Sequence, residues 1–184
     1  MPILPTGRAL LDAPAILGQA GLALGMHYAD FGAGTLGHFV FPACEMVGAN
    51  GKVYAVDILK GALAGIEGRA KMERANNLTT VWGNIEEIGG VGIPEKSLDL
   101  VSVVNIAKLL KKSPAAFGEI KRVLKPTGKL LLVDWKISGA SFGPPSERRT
   151  SPEEMGPEIT KAGFAAEKSF AAGPHHWGLL LRRA

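Results

Sequence analysis

The 184-residue sequence has a single cysteine, Cys44. One thiol cannot form an intrachain disulfide or supply a cysteine-based metal cluster, so no metal site is expected. That usage is compatible with a reducing compartment. Aromatic residues make up only 7% of the chain and do not interleave with basic ones, which argues against a stacking platform for single-stranded nucleic acid. No apolar run reaches the length needed to span a bilayer. The opening Met1-Pro2-Ile3-Leu4-Pro5 lacks the basic start and apolar core of a signal peptide, and a cytoplasmic protein is expected. Internal repeats and low-complexity tracts are also missing.

What is present is ample apolar material, 46% of residues against 21% charged. One domain spanning residues 1–184 can bury a full core at this size. The net charge is +4, carried partly by scattered pairs such as Lys111-Lys112, Arg148-Arg149 and Arg182-Arg183. Solvated faces explain such pairs most simply, with a nucleic-acid surface as the alternative.

The most informative stretch is Asp30-Phe31-Gly32-Ala33-Gly34-Thr35-Leu36-Gly37. Glycines at 32, 34 and 37 have G-x-G-x-x-G spacing after a strand-like run, Met26 to Phe31. The first glycine permits a tight turn, the second lets a ligand approach bare backbone, and the third lets helix and strand pack closely. A second strand-like run, Val53 to Val56, ends at Asp57, twenty positions past Gly37. A carboxylate there can accept hydrogen bonds from a ribose diol.

The rest of the chain alternates strand and helix signals. Residues 1–25 hold a short helix after Pro14, ended by Gly21 and Gly25, that either pads the domain or folds over a ligand as a lid. Leu36, Val40, Ala43 and Val47 mark the helix behind the glycine loop, with Pro42 forcing a late start or a kink. Leu59, Leu63, Ile66 and Ala70 mark the next. Strands are expected at Leu78 to Trp82 and Leu98 to Val104, followed by Asn84 and Asn105 respectively. Ser113-Pro114 starts a helix with a capping serine, and Lys125-Pro126-Thr127-Gly128 reads as a turn before a strand over Lys129 to Val133. A loop over Gly139 to Arg149, a helix after the capping box at Ser151, and a closing hairpin around Gly173-Pro174-His175-His176 complete the chain. The alternation predicts an α/β, doubly wound, mostly parallel sheet with helices on both faces.

Four stretches resemble the class I S-adenosylmethionine-dependent methyltransferases, and most closely the small domains of the ubiquinone/menaquinone-biosynthesis type. They are Ala29 to Gly34, Val53 to Asp57, Glu119 to Leu131 and Ala162-Gly163-Phe164. The resemblance runs from about Leu22 to Arg182. It implies a Rossmann-like seven-stranded sheet of order 3-2-1-4-5-7-6 with strand 7 antiparallel, and S-adenosylmethionine as cofactor. It further implies that Gly32, Ala33, Gly34, Leu36 and Gly37 form the loop around the methionine part, with Asp30 orienting the loop and the amino group. By the same resemblance Asp57 takes the ribose hydroxyls, Ile58 lies against adenine, Asn84 and the Ile85 backbone meet the adenine edge, and Asn105 lines the methyl-donor end. Leu36 stands where many relatives have another glycine, and Thr127 replaces a glycine of the turn.

A methyl sulfonium is already activated, so side-chain catalysis is optional and no catalytic residue is assigned. Trp135, His175 and His176 are candidates for the acceptor side, as pocket wall or proton acceptor. Each histidine is read more simply as a loop residue capping a strand end, and Trp135 as packing or pocket wall. The acceptor is expected to be a small molecule. The alternatives are an NAD-dependent oxidoreductase and a non-catalytic cofactor-binding or RNA-associated module. Arsenic methylation, found in some relatives, needs several cysteines.

Overall fold

Strands whose residues are apolar on both faces must be covered on both, and this sheet is built that way. The computed structural model describes residues 10–138 and 141–184. Residues 1–5, which do not read as a signal peptide, and the start of the expected loop at 139–140 fall outside those residues.

The elements in order are α1 (Ala13–Gln19), β1 (His27–Phe31), α2 (Val40–Val47), β2 (Lys52–Asp57), α3 (Lys60–Glu73), β3 (Leu78–Trp82), β4 (Leu98–Val104), α4 (Ala107–Lys112), α5 (Pro114–Val123), β5 (Leu124–Trp135), α6 (Pro152–Lys161), β6 (Phe164–Ala171) and β7 (His176–Arg183). The seven strands lie in the order β3-β2-β1-β4-β5-β7-β6. β1 to β5 are mutually parallel, and β7 runs antiparallel to both β5 and β6. The doubly wound fold and the strand order expected from the sequence are those observed. Among the described residues no helix is long and apolar enough to cross a membrane.

Alternation along the strands sorts the core into two halves. Ala29, Phe31, Tyr54, Val56, Val101 and Val103 face the layer holding Phe117 and Ile120 of α5 and Met155 and Ile159 of α6. Tyr28, Val53, Ala55, Leu100, Leu131 and Val133 face the layer of α1, α2 and Ile66 of α3. Asp30 and Ser102 fall on that second face by the same period.

Several local expectations are corrected. The helix behind the glycine loop begins only at Val40, so Leu36 lies outside it and is 75% exposed. Pro42 is then the third helical residue, where a backbone N–H has no intrahelical partner, and it costs the helix nothing. Leu59 likewise precedes its helix. Ser113 occupies the N-cap position of α5 but makes no side-chain capping bond, whereas Ser151 accepts from the Glu154 amide at 3.2 Å. The Lys125–Gly128 turn lies within β5. It is an irregularity in the strand, where β4 advances from Leu98 to Leu100 while β5 advances from Leu124 to Lys129.

The Arg122 region has a structural cause for its distinctive composition. Glu119 is fully buried, and Arg122 donates to it from Nε at 2.8 Å and from Nη2 at 2.7 Å. The Gly89 and Val91 amides donate to the same carboxylate, and Arg122 also donates to the Ile93 and Val91 carbonyls. Burial alone would raise the Glu119 pKa, but the Arg122 and amide hydrogen bonds outweigh it and hold the group below the usual carboxylate range. The pair thus fastens α5 to the loop that follows Asn84.

Candidate functional site: two cavities meeting at Gly32

The ends of β1 and β2 turn their backbone toward each other. Gly32 and Ala33 both donate to the Val56 carbonyl, at 2.9 and 3.0 Å. The Gly34 amide donates to Asp57 Oδ2 and the Leu59 amide to Asp57 Oδ1, each at 2.9 Å. Both Asp57 oxygens are therefore oriented by backbone donors, and each keeps a lone pair. Gly32 and Gly34 have φ of +83° and +64°, a region open to glycine at no steric cost. A Cβ on Gly32 would lie 2.7 Å from Ile106 Cδ1, whereas one on Gly34 would meet nothing within 4 Å. Backbone at Gly34 is thus bare and approachable. Arg69 of α3 donates to the Leu36 carbonyl at 3.1 Å and lies over the Phe41 ring, which braces the loop from outside.

Gly32 borders two cavities. One, of about 220 Å³, is lined by Asp57, Ile58, Gly83, Asn84, Ile85, Glu86, Ile106 and Leu109. Here Asn84 Oδ1 accepts from the Glu86 amide and its Nδ2 donates to Glu87, which rigidifies the turn after β3. Ile58 is 56% exposed at this cavity, an apolar surface left for something else to cover.

The other cavity, of about 270 Å³, is lined by Leu10, Leu11, Asp30, Ala33, Leu36, His38, Phe39, Val104 and Asn105. Asp30 is only 3% exposed. Ser102 donates to its Oδ1 at 2.6 Å, and Tyr28 meets the Ser102 hydroxyl at 2.5 Å. Burial pushes Asp30 up to about 7, opposed by the Ser102 hydrogen bond and assisted by the negative charge of Asp57. Asn105 has φ of +62°, a conformation asparagine tolerates better than most. Its amide donates to the Val133 carbonyl at 2.8 Å. His38 bonds the Leu11 carbonyl through Nε2 at 2.7 Å. Because a carbonyl only accepts, that nitrogen is the donor.

Of the residues expected from the sequence, Asp57, Ile58, Asn84 and Ile85 come together in the first cavity, and Asp30, Ala33, Leu36 and Asn105 in the second. Gly32 joins them, while Gly37 (φ +57°) packs against Phe41. Trp135, His175 and His176 line neither cavity. They form an aromatic cluster under the loop after β5, with Trp135 and His176 ring centres 4.2 Å apart and Phe142 beside both Trp135 and His175. Burial, and then the charges of His175, Lys136 and Arg149, lower the His176 pKa to about 4. Sequence reasoning missed Leu10, Leu11, His38 and Phe39. They reach the cavity through contacts between the N-terminal segment and the glycine loop, for which no local pattern gives a signal. Among the described residues no cluster of three His, Cys, Asp or Glu could hold a metal ion.

Comparison with known proteins gives a consistent picture. A family model described as a methyltransferase domain matches residues 23–168. Human arsenite methyltransferase is 32% identical over 111 residues, covering 57% of this chain and 29% of that protein. A ubiquinone/menaquinone biosynthesis C-methyltransferase from a Shewanella strain is 29% identical over 119 residues, covering 63% of this chain and 45% of its own. This chain therefore spans less than half the length of these curated relatives. The structure of a SAM-dependent methyltransferase from Aquifex aeolicus superposes with a TM-score of 0.88 at 26% identity, covering 97% of this chain and 93% of that one.

Proposed function

This chain belongs to the class I S-adenosylmethionine-dependent methyltransferases, and we propose that it methylates a small-molecule acceptor seated against the cavity lined by Leu10, Leu11, His38 and Asn105. The carrying observation is that Gly32 borders two cavities with a different carboxylate in each, Asp57 in one and Asp30 in the other. That arrangement fits a ligand with a ribose at one end and a cationic amino acid at the other. The bare backbone at Gly34 and the free lone pairs of Asp57 fit it as well.

When bound, S-adenosylmethionine supplies a methyl group on a sulfonium, an activated electrophile. The task left to this chain is placement and exclusion of water. Asp57 and the turn at Asn84 would hold the adenosine end. Asp30 would face the positive end. Leu10, Leu11 and Phe39 would form the dry wall of the acceptor space, with Asn105 and His38 as its polar groups. Cavity size and apolar lining favour a small molecule over a polymer. The single cysteine is buried within α2, and burial raises its thiol to about 12, so no set of thiolates is available to carry arsenite.

Calorimetric titration with S-adenosylmethionine, S-adenosylhomocysteine and NAD tests the cofactor assignment, followed by methyl transfer to a panel of small acceptors. Heat with the first two and none with NAD is expected. Binding of NAD alone would overturn the reading in favour of an oxidoreductase.

A further inference from the structure

The register of β1 on β4 places Asp30 directly opposite Ser102, and Tyr28 opposite Leu100. Side chains two residues apart on a strand share a face, so Tyr28, Asp30 and Ser102 meet inside one layer. All three are buried, at 0%, 3% and 0% exposure. A carboxylate only accepts, so Ser102 donates to Asp30, and Tyr28 must in turn donate to Ser102. Both hydroxyl protons point toward the carboxylate, an order that favours its anion. Asp30 Oδ2 makes no hydrogen bond among the described residues, and the residue lines the cavity beside Asn105 and His38. A buried anion with one oxygen unmatched is costly unless something positive is put next to it.

We propose that Tyr28 and Ser102 form a hydroxyl relay that orients and charges Asp30 for a cationic group of the cofactor, so that cofactor capture is coupled to loss of the Asp30 proton. The inference rests on the methyltransferase reading. Tyr28 and Ser102 are positioning residues that act through Asp30. Other groups facing Asp30 do not duplicate its role. Asp57 on β2 acts on it only through its negative charge. Tyr28, with burial raising it well above its ordinary range, and Cys44 of α2, raised to about 12, both keep their protons near neutrality. Among the described residues His38 is the other titratable group lining the cavity, and a His38→Gln control removes its imidazole.

The sign follows from binding to the ionised form. Affinity is full above the Asp30 pKa and is lost as pH falls through about 7. For wild type, the Kd for S-adenosylmethionine should weaken about tenfold per pH unit below that point. Calorimetry at pH 6 in two buffers of different ionisation heat should detect about one proton released per cofactor bound. Ser102→Ala should move the break in the affinity profile upward by about one pH unit while affinity at high pH is kept. Ser102→Thr, which retains the hydroxyl, should restore it, and Tyr28→Phe should shift it by less. The Tyr28 variant also carries the test should Ser102→Ala fail to fold. Asp30→Asn should bind weakly and without this pH dependence, whereas His38→Gln should keep it. S-adenosylhomocysteine retains the ammonium and lacks the sulfonium charge. Equal behaviour of both ligands means that Asp30 reads the ammonium, and loss of the effect with S-adenosylhomocysteine means that it reads the sulfonium. A wild-type affinity flat from pH 5.5 to 8.5, or a break unmoved in both relay variants, would overturn the proposal. No binding of either ligand at any pH would instead overturn the methyltransferase reading beneath it.

Discussion

The two cavities that share Gly32 are built by different means. The one at Asp57 rests on backbone. Its carboxylate is oriented by the Gly34 and Leu59 amides, Asn84 is locked into its own turn, and the Glu119–Arg122 pair pins the loop beyond it. The one at Asp30 rests on side chains distant in sequence, with a carboxylate oriented by hydroxyls from another strand and walls from the N-terminal segment. The first is a socket whose carboxylate is already oriented by backbone amides before any ligand arrives. The second holds a buried carboxyl group whose burial favours the protonated form. Rigid, backbone-built recognition suits the invariant nucleoside end of a cofactor, and a side-chain-built cavity is the part free to differ with the acceptor.

That contrast can be broken in several places, beginning with the largest effect. If the socket depends on the buried pair beneath it, Arg122→Ala leaves Glu119 as a buried charge without its cation, held only by the Gly89 and Val91 amides. It should destabilise the protein by about 3–5 kcal/mol, as measured by urea denaturation. An unchanged midpoint would mean that the loop from Gly89 to Ile93 holds itself. Next, Asp57→Ala should weaken cofactor binding by about 1–3 kcal/mol, equally for S-adenosylmethionine and S-adenosylhomocysteine because only the ribose end is touched. Unequal losses would contradict the division of labour between the two cavities.

At the other carboxylate the effect should appear as stability of the ligand-free protein. Asp30 is raised to about 7, above its unfolded value, so the native state binds the extra proton and stability falls as pH rises from about 4 to about 7. Asp30→Asn keeps an acceptor for Ser102 and removes the charge. It should stabilise the free protein by ~1–3 kcal/mol at pH 8, with the gain vanishing near pH 4, as read by thermal melts at both values. His176 gives a comparison of opposite sign. Its lowered pKa of about 4 means that stability is lost as pH falls from about 6.5 toward 4, since the unfolded chain takes the proton first. Both of its ring nitrogens are buried without hydrogen-bond partners among the described residues, so His176→Phe should flatten this acid limb. The smallest effect is expected at Leu36, 75% exposed, where Leu36→Ser should change folding stability by less than about 0.5 kcal/mol.

The same contrast explains what could be read from the sequence. The Asp57 side was legible because its parts are local: a strand, a glycine turn, an acid at the next strand tip. Strand and helix order was legible for the same reason, since alternation and capping act over a few residues. The Asp30 relay links residues 72 apart and depends on the register of β1 on β4, which sequence alone does not specify. Leu11 and His38 meet through a single hydrogen bond between segments 27 residues apart, again with no local signal. α4 escaped notice because six residues are too short to display a period. Leu36 misled in the other direction: it sits at helical spacing but lies in the loop, its side chain turned toward a cavity rather than the core.

The most direct test of the account is a crystal structure with S-adenosylhomocysteine bound. It should place the ribose on Asp57, the adenine beside Ile58 and Asn84, and the amino-acid end in the cavity at Asp30. Ligand density confined to one cavity, or a ribose that does not touch Asp57, would contradict it.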